Sequence, residues 1–232
     1  MMYHGRSFEL IQYHPKILHY NQELLNDFEN KYSIKIPKSI KEFYQLDGYQ
    51  NILEKYSNCD HPVKISEFKL TNIKEAKLAI EVLVENQGVC NWGVIIDDDE
   101  DPQVYVNVDN AGWKLHSNTF SNFIFSRLWD YSFEEKYCVD IQSTSPISKE
   151  LLNQIENKYE KLPTTNYWPG EKQLRFRFKE TELTLWMDSF QTDWLLKSRN
   201  KSQFTNEIEK INLFLKDEDK ISKDEIRLER KI

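Results

Sequence analysis

The stretch from Glu85 to Val106, ENQGVCNWGVIIDDDEDPQVYV, decides how the rest of the chain is interpreted. An apolar run containing the pair Trp92-Gly93 ends at five consecutive acids, Asp97–Asp101, and alternating valines begin shortly after Pro102. Apolar runs and alternation of this length are typical of β-strands, and proline discourages a regular continuation. We therefore predict two strands joined by an acidic loop. The Trp92-Gly93 pair is predicted to be structural, a core tryptophan beside a glycine that allows close backbone approach.

Helices are predicted before this stretch. The first runs from about Asn21 to Lys31, where apolar residues recur at helical spacing. In the second, Pro37 suits the first turn and Gly48 is placed to stop the helix. A short strand over residues 62–70 and a third helix from about Ile73 to Val84 are predicted to follow.

After the acidic loop, the sequence predicts a turn at Gly112 and Trp113, a short strand, and a helix that begins near Asn118 or Thr119. Helices, a meander of strands and a closing helix follow one another as separate groups. This order indicates an α+β domain over residues 1–140, with an antiparallel-rich sheet flanked by helices.

The Ser- and Thr-rich segment 140–146 is the predicted domain boundary. Residues 141–216 are predicted as a helix-hairpin-helix extension, which we expect to pack on the first domain because two paired strands alone are marginally stable. Arg175 and Arg177 alternate with apolar residues in this hairpin, and we interpret them as a solvated strand face. An alternative is that they pair with the acidic first part of the chain. Residues 217–232 are predicted as a charged tail, either a solvated helix or frayed.

The charge of the chain is uneven. Its formal net charge is −7, and residues 1–140 hold 14 Lys and Arg against 22 Asp and Glu. Such an excess of acid argues against a nucleic-acid partner and favours electrostatic attraction to a basic one. No apolar run is long enough for a signal peptide or a membrane span, and Cys59, Cys90 and Cys138 are too scattered for a disulfide framework. We therefore expect a soluble cytoplasmic protein with reduced thiols and no membrane partner.

Sequence motifs for catalysis or cofactor binding are missing. There is no GxSxG elbow, no phosphate-binding GxxxxGK[ST] and no GxGxxG. The histidines show neither HExxH nor any spacing that would suit zinc, and they stand at His4, His14, His19, His61 and His116. We expect no enzymatic activity, no cofactor and no metal.

Three interpretations of the acidic loop remain open, and its members are Asp97, Asp98, Asp99, Glu100 and Asp101. A calcium or magnesium site needs oxygen ligands aimed at one point, and this run lacks the glycine of the EF-hand loop. A solvated turn is a common role for a run of like charges. We favour docking of a cationic partner, because a rigid acidic loop would speed association and supply charge-assisted hydrogen bonds. Trp113 is a second candidate contact, since an aromatic residue in a turn either anchors an interface or covers a core edge.

Three segments together resemble the SUKH superfamily, which includes the fungal Smi/Knr cell-wall regulators and many bacterial immunity proteins. The first is FENKYSIKIPKSIKEFYQLDGY, a helix, an Ile-Pro pair and a second helix that runs into an Asp-Gly turn. The second and most specific is ENQGVCNWGV with its acidic loop and VYV. The third is the Trp113 turn leading into TFSNFIFSRL. The resemblance spans about Leu24 to Leu128 and does not reach residues 141–232. It departs from the family at Asp47-Gly48-Tyr49, where many members have Asn-Gly-Gly.

This resemblance implies an α+β fold, no known enzymatic role, and in bacteria a frequent role in binding and neutralising a toxin. We therefore expect an immunity protein whose partner is a polymorphic toxin with a basic surface. The alternative is a regulatory interaction scaffold of the cell-wall-regulator type. A toxin gene just upstream would distinguish the two. The sequence does not specify the oligomeric state.

Overall fold

The computed structural model describes residues 2–14, 16–56, 60–73, 77–132, 136–143, 145–213 and 215–229. Within these residues the chain forms seven α-helices and two antiparallel sheets, so the predicted α+β class is confirmed. The chain divides into two compact units, Met1–Ser132 and Phe133–Ile232. Among the described residues, every helix is too short or too polar to cross a membrane.

The first unit contains five of the helices. They are α1 (Gly5–Ile11), α2 (His19–Tyr32), α3 (Lys38–Tyr44), α4 (Tyr49–Tyr56) and α5 (Phe120–Tyr131). Pro37 directly precedes α3, as its fixed φ favours. Gly48 does not stop this helix, which ends at Tyr44; with φ at +69° it lies in the turn before α4, a conformation that glycine adopts at little cost. The Thr119 hydroxyl accepts a hydrogen bond from the Asn122 N–H and caps the start of α5.

The first unit also contains one antiparallel sheet. Its strands are β1 (Asp60–Pro62), β2 (Leu70–Asn72), β3 (Leu78–Glu85), β4 (Cys90–Ile95), β5 (Val104–Val108) and β6 (Trp113–Ser117). The order is β1-β3-β4-β5-β6, and β2 also pairs with β3. Trp92 of β4 is fully buried, and its ring packs near His116 and near Phe123 of α5. The strand–loop–strand prediction around the acidic block is therefore confirmed, with β4 and β5 as the two strands.

The predicted third helix is wrong. Residues 78–84 of that segment belong to strand β3 (Leu78–Glu85), whereas residues 74–76 lie outside the described residues. Strand β3 pairs with β4 along one edge. It also pairs with β2 over residues 78–80 and with β1 over residues 83–85. Ala79, Ile80, Val82 and Leu83 are all buried. A strand buried on both faces has a nearly continuous apolar run, which periodicity alone does not distinguish from a buried helix.

The second unit is built on another antiparallel sheet. Its strands are β7 (Lys136–Ser143), β8 (Glu160–Lys161), β9 (Thr165–Asn166), β10 (Lys172–Phe178), β11 (Thr181–Met187), β12 (Thr192–Ser198) and β13 (Arg227–Glu229). The order is β13-β7-β12-β11-β10-β8, and β9 also pairs with β10. Two helices, α6 (Lys149–Lys158) and α7 (Lys201–Asn212), contribute apolar side chains to one core with the sheet. The predicted hairpin is β10 and β11, and the Ser148 hydroxyl caps α6 by accepting a hydrogen bond from the Leu151 N–H.

Some features of the second unit differ from the sequence-based expectations. The compact units divide at Ser132, earlier than the predicted division after residue 140, because β7 pairs with β12 and so belongs to the second sheet. The charged C-terminal stretch contributes β13, which pairs with β7. Arg175 does not lie on a solvated strand face: its side chain is 1% exposed, and it donates hydrogen bonds to the Pro163 carbonyl and the Thr165 hydroxyl.

Candidate functional site

The acidic loop joins β4 to β5, and backbone hydrogen bonds define its conformation. The Ile95 N–H donates to the Gln103 carbonyl at 3.2 Å. The Asp97 carboxylate accepts a hydrogen bond from the Asp99 N–H, and the Asp99 carboxylate accepts one from the Asp101 N–H, both at 3.0 Å. Short side chains that bond the backbone two residues on form Asx turns, which restrict a loop locally. The loop is therefore an ordered turn whose own carboxylates hold its shape.

Glu100 faces the rest of the first unit. Its carboxylate accepts a hydrogen bond from the Tyr3 hydroxyl at 2.6 Å and forms an ion pair with Lys38 at the start of α3. Its backbone carbonyl accepts a hydrogen bond from the Ser39 N–H at 2.9 Å. The hydrogen bonds from Lys38 and Tyr3 lower the pKa of Glu100, and the bond to the Glu100 carboxylate raises the pKa of Tyr3 to about 12. Glu100 thus joins the loop to the N-terminal segment and to α3.

Asp101 is bound to the start of α5. Its carboxylate accepts hydrogen bonds from the Ser121 N–H at 2.9 Å and from the Ser121 hydroxyl at 2.5 Å. A carboxylate at a helix N-terminus satisfies an N–H that has no partner within the helix and interacts favourably with the helix dipole. Together with the contacts of Glu100, this fixes the end of the loop that leads into β5.

The other three acids of the loop point outward. The side chains of Asp97, Asp98 and Asp99 are exposed, whereas Asp101 is only half-exposed. Glu100 is exposed as well, with 53% of its side chain accessible, but its carboxylate is bonded to Tyr3 and Lys38. The five predicted contact residues therefore divide by their contacts into an outward group, Asp97, Asp98 and Asp99, and a pair bound to residues outside the loop, Glu100 and Asp101. Three adjacent carboxylates in an ordered loop can make charge-assisted hydrogen bonds with arginine or lysine side chains.

The N-terminal segment supports the loop, and sequence reasoning missed it. The backbone N–H groups of Tyr3 and His4 donate to the Glu42 carboxylate at 3.0 and 2.9 Å. The buried His4 ring hydrogen-bonds the Ser39 carbonyl at 2.9 Å and lies 5.3 Å from the Phe43 ring, centroid to centroid. Burial lowers the pKa of His4. A single histidine before a short helix carries no periodic signal, so only the three-dimensional contacts identify this role.

Trp113 belongs to β6, so its placement in a turn is wrong. Its ring lies across Gly93 of the same sheet: a Cβ added to Gly93 would stand 3.2 Å from both Cζ3 and Cη2 of Trp113. The Trp113 side chain is half-buried. Beside it on this sheet, Tyr105 pairs with Gly93 and is also half-buried. Trp113 thus covers the sheet at Gly93, and its predicted role as a partner contact stays a prediction.

A buried ion pair supports the opposite face of β4. Arg127 of α5 donates two hydrogen bonds to the Asp60 carboxylate, one of them from Nε at 2.7 Å. The guanidinium carbon of Arg127 also lies 5.2 Å from the Trp92 ring centroid. Burial lowers the pKa of Arg127, but Asp60, Tyr131 and Asp130 together more than offset burial and raise the pKa above its usual value. This pair holds α5 to the sheet and was not predicted, because its members are far apart in the sequence.

Metal binding and thiol chemistry receive no support from the geometry. In the described part of the chain, no group of three or more His, Cys, Asp or Glu side chains is arranged to hold a metal ion. Cys90 and Cys138 are buried thiols outside any disulfide, and burial raises the pKa of Cys90 to about 12. Cys59 lies outside the described residues.

Comparison of the chain with protein-family models, with curated proteins and with solved structures finds no match in any of the three. The SUKH resemblance therefore stays a prediction that depends on the quoted motifs alone.

Proposed function

We propose that this chain is a cytoplasmic immunity protein that binds and neutralises a bacterial polymorphic toxin without catalysis of its own. The SUKH resemblance supports the class of protein. The observation that carries the proposal is the arrangement of Asp97, Asp98 and Asp99, which point outward from a loop fixed at Glu100 and Asp101.

An ordered acidic loop suits stoichiometric binding for two physical reasons. Its shape is already set by hydrogen bonds, so less conformational entropy is lost when a partner orders it. Its adjacent carboxylates attract a basic surface over several ångströms and then bond it directly. Toxins that act on nucleic acids commonly have such a basic surface, and they are the partners we expect.

The first experiment tests the proposed function itself. The C-terminal domain of a multidomain toxin encoded by the neighbouring upstream gene is produced in cells with and without this chain. We expect cell death without the chain, survival with it, and a stoichiometric complex on size-exclusion chromatography. Death in both cultures, or survival without a physical complex, would contradict the proposal.

The second experiment tests the loop. In the triple variant Asp97→Asn, Asp98→Asn and Asp99→Asn, the side-chain oxygens that accept the turn hydrogen bonds remain, but three charges are lost. Because a hydrogen bond to a charged group contributes about 1.5–3 kcal/mol, we expect affinity for the toxin to fall at least tenfold. The dependence of affinity on salt concentration should also weaken.

A matched control separates local contact from the overall charge of the chain. The variant Glu160→Gln, Glu171→Gln and Glu180→Gln removes the same charge from exposed residues of the second unit. We expect its affinity to stay near that of the unmodified chain. If both triple variants weaken binding equally, long-range attraction alone explains the effect; if neither does, the loop is not a contact.

A further inference from the structure

A second surface of the first unit exposes large apolar side chains around the start of α2. Ile17 is 62% exposed and Tyr20 is 67% exposed, and Leu18 between them is also exposed. Isolated exposed apolar residues are common, but a contiguous group beside a concave surface is typical of an interaction site. This group shares no residue with the acidic loop.

Backbone hydrogen bonds hold these apolar residues in position. The Leu18 N–H donates to the Gln45 carbonyl at 2.8 Å, and the Asp47 N–H donates to the Lys16 carbonyl at 2.7 Å. Ile17 and Leu46 form a β-bridge between the same two segments. The exposure of Ile17 and Leu18 is therefore fixed by an extended backbone that pairs with the segment after α3.

A cleft of about 310 Å³ adjoins them. The described residues that line it are Leu18, Tyr20, Asn21, Leu24, Gly48, Tyr49, Lys64, Ile65 and Ser66. Tyr49 and Ile65 are buried, and the Asn21 amide donates a hydrogen bond to the Tyr44 carbonyl at 2.9 Å. The lining is thus mixed, with buried apolar side chains beside exposed apolar and polar ones, and its volume is that of a small ligand site.

The polar groups of the cleft favour a carboxylate. Lys64 is exposed and is the only cation among the described residues that line the cleft, and no acid is among them. Ser66, which also lines the cleft, carries a hydroxyl that can donate a hydrogen bond. A bound segment would therefore gain from an apolar side chain in the cleft and from a negative charge near Lys64.

We propose that this cleft binds a peptide segment of a partner protein in which a large apolar side chain stands next to a carboxylate. The cleft would bind a negatively charged group, whereas the acidic loop would bind a basic surface. The inference is independent of toxin neutralisation, because it depends on other residues of the first unit.

Nuclear magnetic resonance with defined peptides tests the inference. The full isotope-labelled chain is titrated with a capped pentapeptide, Ser-Leu-Phe-Glu-Ser, and with the same peptide carrying Lys in place of Glu. We expect the Glu peptide to shift backbone amides of the cleft with a Kd of about 1 mM or tighter, and to bind at least about fivefold more tightly than the Lys peptide. Lys64→Glu should reverse that preference.

A matched pair of variants checks the location. Tyr20→Ser should weaken the Glu peptide at least about fivefold, whereas Phe190→Ser, which removes a side chain of nearly equal exposure (66%) from the second unit, should have no effect. The inference would be overturned by no shift of cleft amides, by equal binding of both peptides, or by equal effects of the two variants. Shifts that depend on chain concentration without peptide would also overturn it, since they would identify a second copy as the occupant.

Discussion

Gly93→Ala tests the packing of Trp113 on the first sheet. The added Cβ would stand 3.2 Å from Cδ1 of Ile73 and from two ring carbons of Trp113, closer than ordinary van der Waals contact. Overpacking of this kind typically costs about 1–3 kcal/mol, and the contacted atoms are ends of side chains that can shift slightly. Alanine within a strand is favoured over glycine by about 0.5–1 kcal/mol, which offsets part of the cost. We expect Gly93→Ala to lower the opening free energy of the sheet by about 1 kcal/mol.

A double-mutant cycle tells whether the Trp113 ring causes this cost. Trp113→Leu removes both ring carbons that would meet the new Cβ and leaves an apolar residue in β6. In that background Gly93→Ala should cost less, with a coupling energy of roughly 1 kcal/mol between the two positions.

Amide hydrogen exchange of β4 and β5 is the appropriate assay. A chain with two compact units need not unfold in one transition, so a single unfolding midpoint would mix the two sheets. Exchange reports the opening of each strand separately, and a loss of about 1 kcal/mol corresponds to roughly fivefold faster exchange. If Gly93→Ala costs the same with Leu at position 113, Trp113 does not constrain Gly93 and this interpretation is refuted.

The remaining predictions concern buried charge and a helix cap. Asp60→Ala should destabilise the first unit by about 3–5 kcal/mol, measured by amide exchange of β4 and α5, because it leaves the buried Arg127 charge without its carboxylate. The double change Asp60→Leu, Arg127→Met should be far milder, and equal losses would contradict this prediction. Asp101→Ala should lower the opening free energy at the start of α5 by about 1 kcal/mol and so speed amide exchange there. Asp101→Asn, which keeps an acceptor for Ser121, should cost less, and equal effects of the two variants would argue against capping. Burial lowers the pKa of Lys136 to about 8, so the folded chain releases this proton before the unfolded chain, and stability should rise as pH increases from about 8 towards 10.5. A Lys136 side-chain carbon resonance that titrates only above pH 10 would contradict that assignment.

Local patterns predicted those elements whose sequence signals are unambiguous. The helices α2 and α5 follow from apolar spacing and, for α5, from a capping threonine, and β10 and β11 follow from strict alternation. The strand β3 was predicted as a helix because burial on both faces removes the alternation that identifies a strand. The strand β13 was missed because three residues in a charged stretch pair with β7 only through tertiary contacts.

The candidate site shows the same limit on a smaller scale. The sequence places five acids between two strands, but it does not indicate which carboxylates face the protein. Glu100 meets Tyr3 and Lys38, and Asp101 meets Ser121; these partners lie 20 or more residues away in the chain. Local propensity therefore predicts the loop, and only the packed fold shows how its charges are divided.

This division determines how the docking hypothesis can be tested. If all five acids were replaced together, the loss of the Asp101 cap and of the Glu100 contacts would disturb the loop itself, and weaker binding would have two explanations. Replacement of Asp97, Asp98 and Asp99 by asparagine removes only outward charge and keeps the turn acceptors. The single variant Asp101→Asn is the complementary test, because it alters the bond to Ser121 and leaves Asp97, Asp98 and Asp99 unchanged. If only the triple variant weakens affinity for the partner, the partner recognises the exposed carboxylates. If Asp101→Asn weakens affinity as well, binding depends on the shape of the loop as well as on its charge.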